Sequence, residues 1–167
     1  KLINEKTKLV AIPHIANVFG SLFPVAEIAK IAHRHKALLL VDGAQAVAHL
    51  KIDVQKMDCD FYCFSAHKMY GPTGIGVLYG KKAILENLPP SRFGGHMTES
   101  ISEKEITFAP LPAKFEAGTP PIAEAIGLGV AIDYLEKIGL ENIQKYEEEL
   151  ARYTHQTLKE ISGLKIF

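Results

Sequence analysis

A lysine placed where an apolar run breaks off is the position in this sequence best suited to chemistry. Asp60-Phe61-Tyr62-Cys63-Phe64 is aromatic-rich and long enough for a buried strand, and it ends in Ser65-Ala66-His67-Lys68. Gly71, Pro72, Gly74 and Gly76 follow within eight residues of the lysine. A long amine therefore sits where a strand stops and the backbone must turn tightly, which glycine permits. A second such position is Asp42, which closes the unbroken run Ala37-Leu38-Leu39-Leu40-Val41. Two chemistries suit the pair. Lys68 and Asp42 can form a structural ion pair, since such networks gather at strand ends. Alternatively, an ammonium beside apolar residues loses hydration and its pKa falls, which leaves an amine able to hold an aldehyde cofactor as an imine.

The elements that must position these groups read as follows. Leu9 to Ile12 is a short buried strand closed by Pro13-His14, and the loop Asn17-Val18-Phe19-Gly20-Ser21 leads on to Pro24. Val25, Ile28, Ala29 and Ala32 then recur at helical spacing, with proline in the first turn. His33, Arg34, His35 and Lys36 give that helix a basic, solvated end suited to its dipole. His33 and His35 are two residues apart on a helix and do not face each other, which argues against a metal. The uninterrupted run before Asp42 suits a parallel strand covered on both faces, so strand, helix and strand form a βαβ crossover. In such sheets the ligand crevice lies beyond the carboxyl ends of the strands, where Asp42 and the Ser65–Lys68 segment both fall.

Gly71 to Gly76 resembles a phosphate-cradling loop but lacks the Gly-Lys-Ser/Thr ending and is followed by another strand, Val77-Leu78-Tyr79. Its glycines are read as bending the backbone back beside the lysine. Lys81 to Asn87 is a short helix ended by Pro89-Pro90. Residues 91–115 show little periodicity and read as a long loop, functional or disordered. Thr119 then offers a hydroxyl beside Gly118. Ile122 to Ile138 reads as a buried apolar helix, with Gly127 and Gly129 allowing close packing. Leu140 to Ile161 reads as an amphipathic helix with a stripe at Ile143, Tyr146, Leu150, Tyr153, Leu158 and Ile161. Glu147, Glu148 and Glu149 form its wet face, and Ser162-Gly163 its C-cap.

At 167 residues and 47% hydrophobic content the chain can bury a core, and its 19 basic and 19 acidic residues cancel. No like-charge block points to nucleic acid, and no apolar run is long enough for a membrane span. Cys59 and Cys63 read as reduced core thiols of a cytoplasmic protein. The polar start at Lys1 and the strand-like ending Leu164 to Phe167 suggest an internal fragment of a longer enzyme.

Taken together, Val41-Asp42-Gly43-Ala44-Gln45-Ala46, Asp58-Cys59-Asp60-Phe61, Phe64-Ser65-Ala66-His67-Lys68, Gly71-Pro72-Thr73-Gly74-Ile75-Gly76 and the Phe115–Pro120 stretch resemble the cysteine desulfurase and selenocysteine lyase family, above all its Suf-type branch. That family lies in the class V aminotransferase group of fold-type I pyridoxal phosphate enzymes. The resemblance implies an α/β fold: residues 1–162 would be the central part of the large cofactor domain, a mostly parallel sheet flanked by helices. Residues 163–167 would open a smaller C-terminal domain. It implies pyridoxal 5'-phosphate held by Lys68 as an imine, Asp42 on the pyridinium nitrogen, and Gln45 on the ring hydroxyl with Asn17 beside it. Ser65 and His67 would hold the phosphate, and Thr119 would reach the phosphate of the partner subunit in a homodimer.

The implied reaction removes sulfur or selenium from L-cysteine or L-selenocysteine, leaves L-alanine, and passes sulfur through an acceptor protein toward iron–sulfur clusters. The family's glycine-threonine phosphate loop and stacking histidine would precede Lys1; its reactive cysteine and carboxylate-binding arginine would follow Phe167. Alone, the stretch is therefore expected to be inactive and to bind cofactor poorly. Alternatives on the same scaffold are a kynureninase-like or aminotransferase-like enzyme, or a non-catalytic assembly module.

Overall fold

The computed structural model describes residues 2–166. Strands β1 (Leu9–Pro13), β2 (Leu38–Asp42), β3 (Phe61–Ser65) and β4 (Gly76–Gly80) form one sheet in the order β1-β2-β3-β4. The first three run parallel, and β4 returns antiparallel to β3. Helix α1 (Val25–Arg34) makes the crossover from β1 to β2 and buries Val25, Ala29 and Ala32. Pro24 stands at its N-cap, where the missing N–H costs nothing. Leu39 and Val41 of β2 are wholly buried; side chains of that size contribute about 1.5–3 kcal/mol each when removed from water. β1 differs from the expected buried strand. It is an edge strand, so its residues alternate between exposed and half-buried.

Register decides where the chemistry falls. Pro13 pairs with Asp42, and Asp42 with Cys63, so β1 and β2 finish level at their carboxyl ends while β3 runs two residues further, to Ser65. The opposite end of the sheet carries an ionic knot. Asp60 is 3% exposed and accepts from the Leu39 N–H at 2.7 Å. It also meets His33 Nε2 at 2.8 Å and Lys81 Nζ at 3.0 Å. Asp58 completes the knot, 3.3 Å from His33 Nδ1 and within 2.6 Å of Lys81 Nζ. His33 is therefore not a solvated helix end: it ties α1 to the start of β3.

Further along, α2 (Val54–Met57) is a single turn not expected from the sequence; the Asp53 side chain caps it by accepting from Lys56 N–H. Helix α3 spans Lys82–Asn87. Residues 91–115 are not a structureless loop, since β5 (Thr98–Ile101) and β6 (Ile106–Phe108) pair as an antiparallel hairpin. Helix α4 covers Ile122–Ile138, but burial is confined to one face, Leu128, Ala131 and Leu135. Ile122, Ile126 and Val130, four apart on the other face, are exposed, so α4 is not the buried helix its composition suggests.

Helix α5 (Leu140–Lys159) carries the expected stripe, yet Tyr146, Leu150 and Tyr153 are exposed as well. Glu147 is not part of a free wet face: its Oε1 lies 2.8 Å from His49 Nδ1. The helix ends at Glu160 rather than at Ser162-Gly163. Leu164 to Ile166 form no strand, and Phe167 lies outside the described residues. Among the described residues no helix is long and apolar enough to cross a membrane.

Candidate functional site at the strand ends

Beyond Ser65 the chain enters a 3-10 turn, Ala66–Met69, that carries Lys68, and then reverses through Tyr70 in the left-handed conformation at φ 64°. Gly74, at φ 83°, makes the second reversal. The loop closes on itself where Gly71 N–H donates to Ala66 O at 3.0 Å and Ala66 N–H to Ile75 O at 3.1 Å. A Cβ on Gly76 would stand 2.8 Å from the Phe64 carbonyl oxygen, so β4 can return this close only as glycine. The glycines bend the backbone beside the lysine, as their spacing suggested.

Lys68 and His67 are exposed, Ser65 is half-buried, and among the described residues the Lys68 side chain makes no hydrogen bond or ion pair. The Lys68–Asp42 ion pair is therefore not formed, and the aromatic run does not cover the amine as the desolvation argument required. Instead, α4 clamps the lysine turn from outside. Gly127 lets Pro72 approach, so that a Cβ there would meet Pro72 Cγ at 3.2 Å. Tyr70 and Tyr134 meet edge to face at 6.1 Å between centroids. Gly129 has no such neighbour. Gly127→Val is expected to overpack this contact and lower stability by about 1–3 kcal/mol, read as a fall in the urea midpoint, while Gly129→Ala does not.

Asp42 is exposed at the end of β2, and its Oδ1 accepts from the Ala44 N–H at 2.9 Å. This local turn fixes the carboxylate without making it a helix cap. Gln45 Nε2 donates to Asn17 Oδ1, so the loop after β1 and the turn after β2 are joined through the two amides expected to lie together. His49 lies on the same winding segment and is held by Glu147, so that α5 closes one side of a hollow that Asn17 and Gln45 also line. Sequence reasoning missed that contact. Thr119 is exposed on the segment before α4, after Gly118 at φ 84°; no hydrogen bond joins it to Lys68, Asp42 or Ser65 among the described residues.

Cys59 is fully buried and Cys63 partly so; both are free. Burial pushes both thiols up, and for Cys63 the Asp42 carboxylate adds to it. Neither is therefore an activated thiolate.

A row of parallel strand ends, one closing in a fixed carboxylate and the next leading into an exposed amine, places the chain among α/β proteins whose site lies at the carboxyl edge of the sheet. All of it, residues 1–167, matches the aminotransferase class-V family, and the chain belongs to that family. It is 59% identical over its full length to a probable cysteine desulfurase of Halalkalibacterium halodurans, of which it covers 41%. Among solved structures it resembles the Escherichia coli cysteine desulfurase CsdA, with a TM-score of 0.92 and 39% identity over 97% of this chain and 41% of that one. A mutant of C-DES with glycine covalently linked to its PLP cofactor superposes with a TM-score of 0.85 at 27% identity, over 96% of this chain and 43% of that one. The chain thus spans about two fifths of the length of the curated relatives it matches.

Proposed function

We propose that the polypeptide carrying this sequence is a pyridoxal phosphate-dependent cysteine desulfurase. Its substrate would be L-cysteine or L-selenocysteine and its products L-alanine and a sulfur or selenium atom bound for an acceptor protein and iron–sulfur cluster assembly. The observation that carries the reading is the pairing of Asp42 with Cys63, which sets the acid closing β2 beside the carboxyl-terminal part of β3, the strand leading to Lys68. The residues fit the cofactor chemically. The carboxylate is already oriented by its own turn, two amides are joined beside it, and the amine has no partner among the described residues.

When bound, pyridoxal phosphate supplies an electron sink for the charge that develops at the substrate's α carbon. Asp42 holds the proton at the ring nitrogen. Lys68 would hold the cofactor through Nζ, and the same amine would move the proton at the substrate's α carbon. Gln45, braced by Asn17, donates to the ring hydroxyl oxygen, and Ser65 with His67 binds phosphate oxygens. Thr119 serves the phosphate of a second subunit, which makes a homodimer the working unit. The sulfur acceptor is a thiol other than Cys59 and Cys63, because neither is activated. The two free thiols, Cys59 and Cys63, support a cytoplasmic setting.

The test is alanine formation from L-cysteine by the full polypeptide with pyridoxal phosphate and a reductant. Stoichiometric alanine and sulfide are expected. A protein that instead exchanges amino and keto groups, with no alanine from cysteine, overturns the assignment.

A further inference from the structure

Beneath the Asp42 turn, two groups without a role in the proposed reaction close on each other. His14 follows β1, and its N–H donates to the Asp42 carbonyl oxygen at 2.8 Å. Its Nδ1 shares a hydrogen bond of 3.0 Å with Tyr62 Oη, the rings meeting edge to face with planes at 87°. Tyr62 in turn fills the space where a side chain on residue 43 would begin: a Cβ on Gly43 would lie 2.0 Å from Tyr62 Cε1 and 2.3 Å from Oη. The Gly43 N–H donates to Cys63 O at 2.8 Å, which brings the peptide down onto β3. His14 and Tyr62 are 8% and 2% exposed, and burial lowers the first pKa and raises the second, so both are neutral near pH 7.

A buried polar pair in an apolar core gains little net stability over a well-packed apolar one, while each member left alone is costly. What the pair does supply is direction. The Asp42–Gly43 peptide is held from two sides: the His14 main-chain N–H takes the Asp42 carbonyl, and the Tyr62 ring, fixed by its bond to His14 Nδ1, packs against Gly43. We propose that His14 and Tyr62 are positioning residues that set the angle at which the Asp42 carboxylate meets the ring nitrogen of the cofactor. The proposal rests on the role given to Asp42 above.

The test uses the full polypeptide loaded with pyridoxal phosphate. Its readouts are the pH titration of the visible absorption of the lysine-linked cofactor, cofactor retention on dilution, and the unfolding midpoint. Tyr62→Phe keeps the ring under Gly43 and removes Oη. It is expected to weaken retention about tenfold, the scale on which outer partners of a ligand group act, and to move the titration midpoint by about half a pH unit or more as the Asp42 contact loosens. Leu39→Val, which perturbs the same sheet without removing the His14–Tyr62 bond, is expected to lower the unfolding midpoint and leave both optical readouts alone. If Tyr62→Phe does not fold, His14→Asn carries the same expectation. Unchanged titration and retention in the folded variant, with only a lower unfolding midpoint, would overturn the proposal. A wild-type protein without the absorption, or one that keeps it in Lys68→Ala, overturns the cofactor reading and this inference with it.

Discussion

Lys68→Ala abolishes the visible absorption of the cofactor-loaded polypeptide and lowers the rate of alanine formation by about three orders of magnitude or more, since it removes both the covalent attachment and a proton carrier, the latter alone accounting for about 10²–10⁴. The fold is expected to be untouched. The side chain is exposed and has no partner among the described residues, so the unfolding free energy should change by no more than about 0.5 kcal/mol. That split, a large loss of function with none of stability, separates a reactive amine from a structural one. An equal loss of stability, or a rate within tenfold of wild type, would show that Lys68 serves the fold.

Asp60→Ala should behave in the opposite way. Asp60 gathers the Leu39 N–H, His33 and Lys81 around one buried carboxylate. Removing one partner of a buried pair costs about 3–5 kcal/mol, and the lower end applies because Lys81 keeps Asp58. The exposed pairs Lys56–Asp53 and Lys82–Glu86 are not comparable; each is worth about 0–1 kcal/mol. Burial pushes the Asp60 carboxyl up, but hydrogen bonds from His33, the Leu39 N–H and Lys81 outweigh it and hold the carboxyl below its usual value.

A depressed carboxylate contributes stability that is fully present above its unfolded pKa, about 3.9, and is lost as the pH falls through the folded one. Denaturant midpoints of wild type and Asp60→Ala should therefore differ by a constant amount from neutrality down to about pH 4–5, and converge only below that.

The strand ends were legible because unbroken apolar runs stop abruptly at charged residues; Asp42 and Lys68 mark such breaks. Helix α4 was legible in extent, with Pro120-Pro121 before it and Gly139 after it, but not in burial, because composition gives no face when nearly every position is apolar. The β5–β6 hairpin was missed: Thr98-Glu99-Ser100-Ile101 has no apolar alternation, and the pair is held in part by the Ser100–Thr107 hydroxyl contact at 2.7 Å. His33 and Glu147 were given to solvent because their partners lie 27 and 98 residues away, beyond the reach of any local pattern. The His14–Tyr62 bond was hidden for the same reason, across 48 residues.

The closed loop between Ser65 and Gly76 also bears on time. Both its ends are register partners on adjacent strands, and its interior is tied by the Ala66–Ile75 and Ala66–Gly71 hydrogen bonds. The backbone therefore has no slack to swing, and the amine must travel by torsion about its own methylene groups. Exposed side chains make such flips in picoseconds to nanoseconds, whereas loops rearrange in nanoseconds to microseconds. Reorientation of the Lys68 amine should accordingly be fast beside the rearrangement that a mobile loop would need.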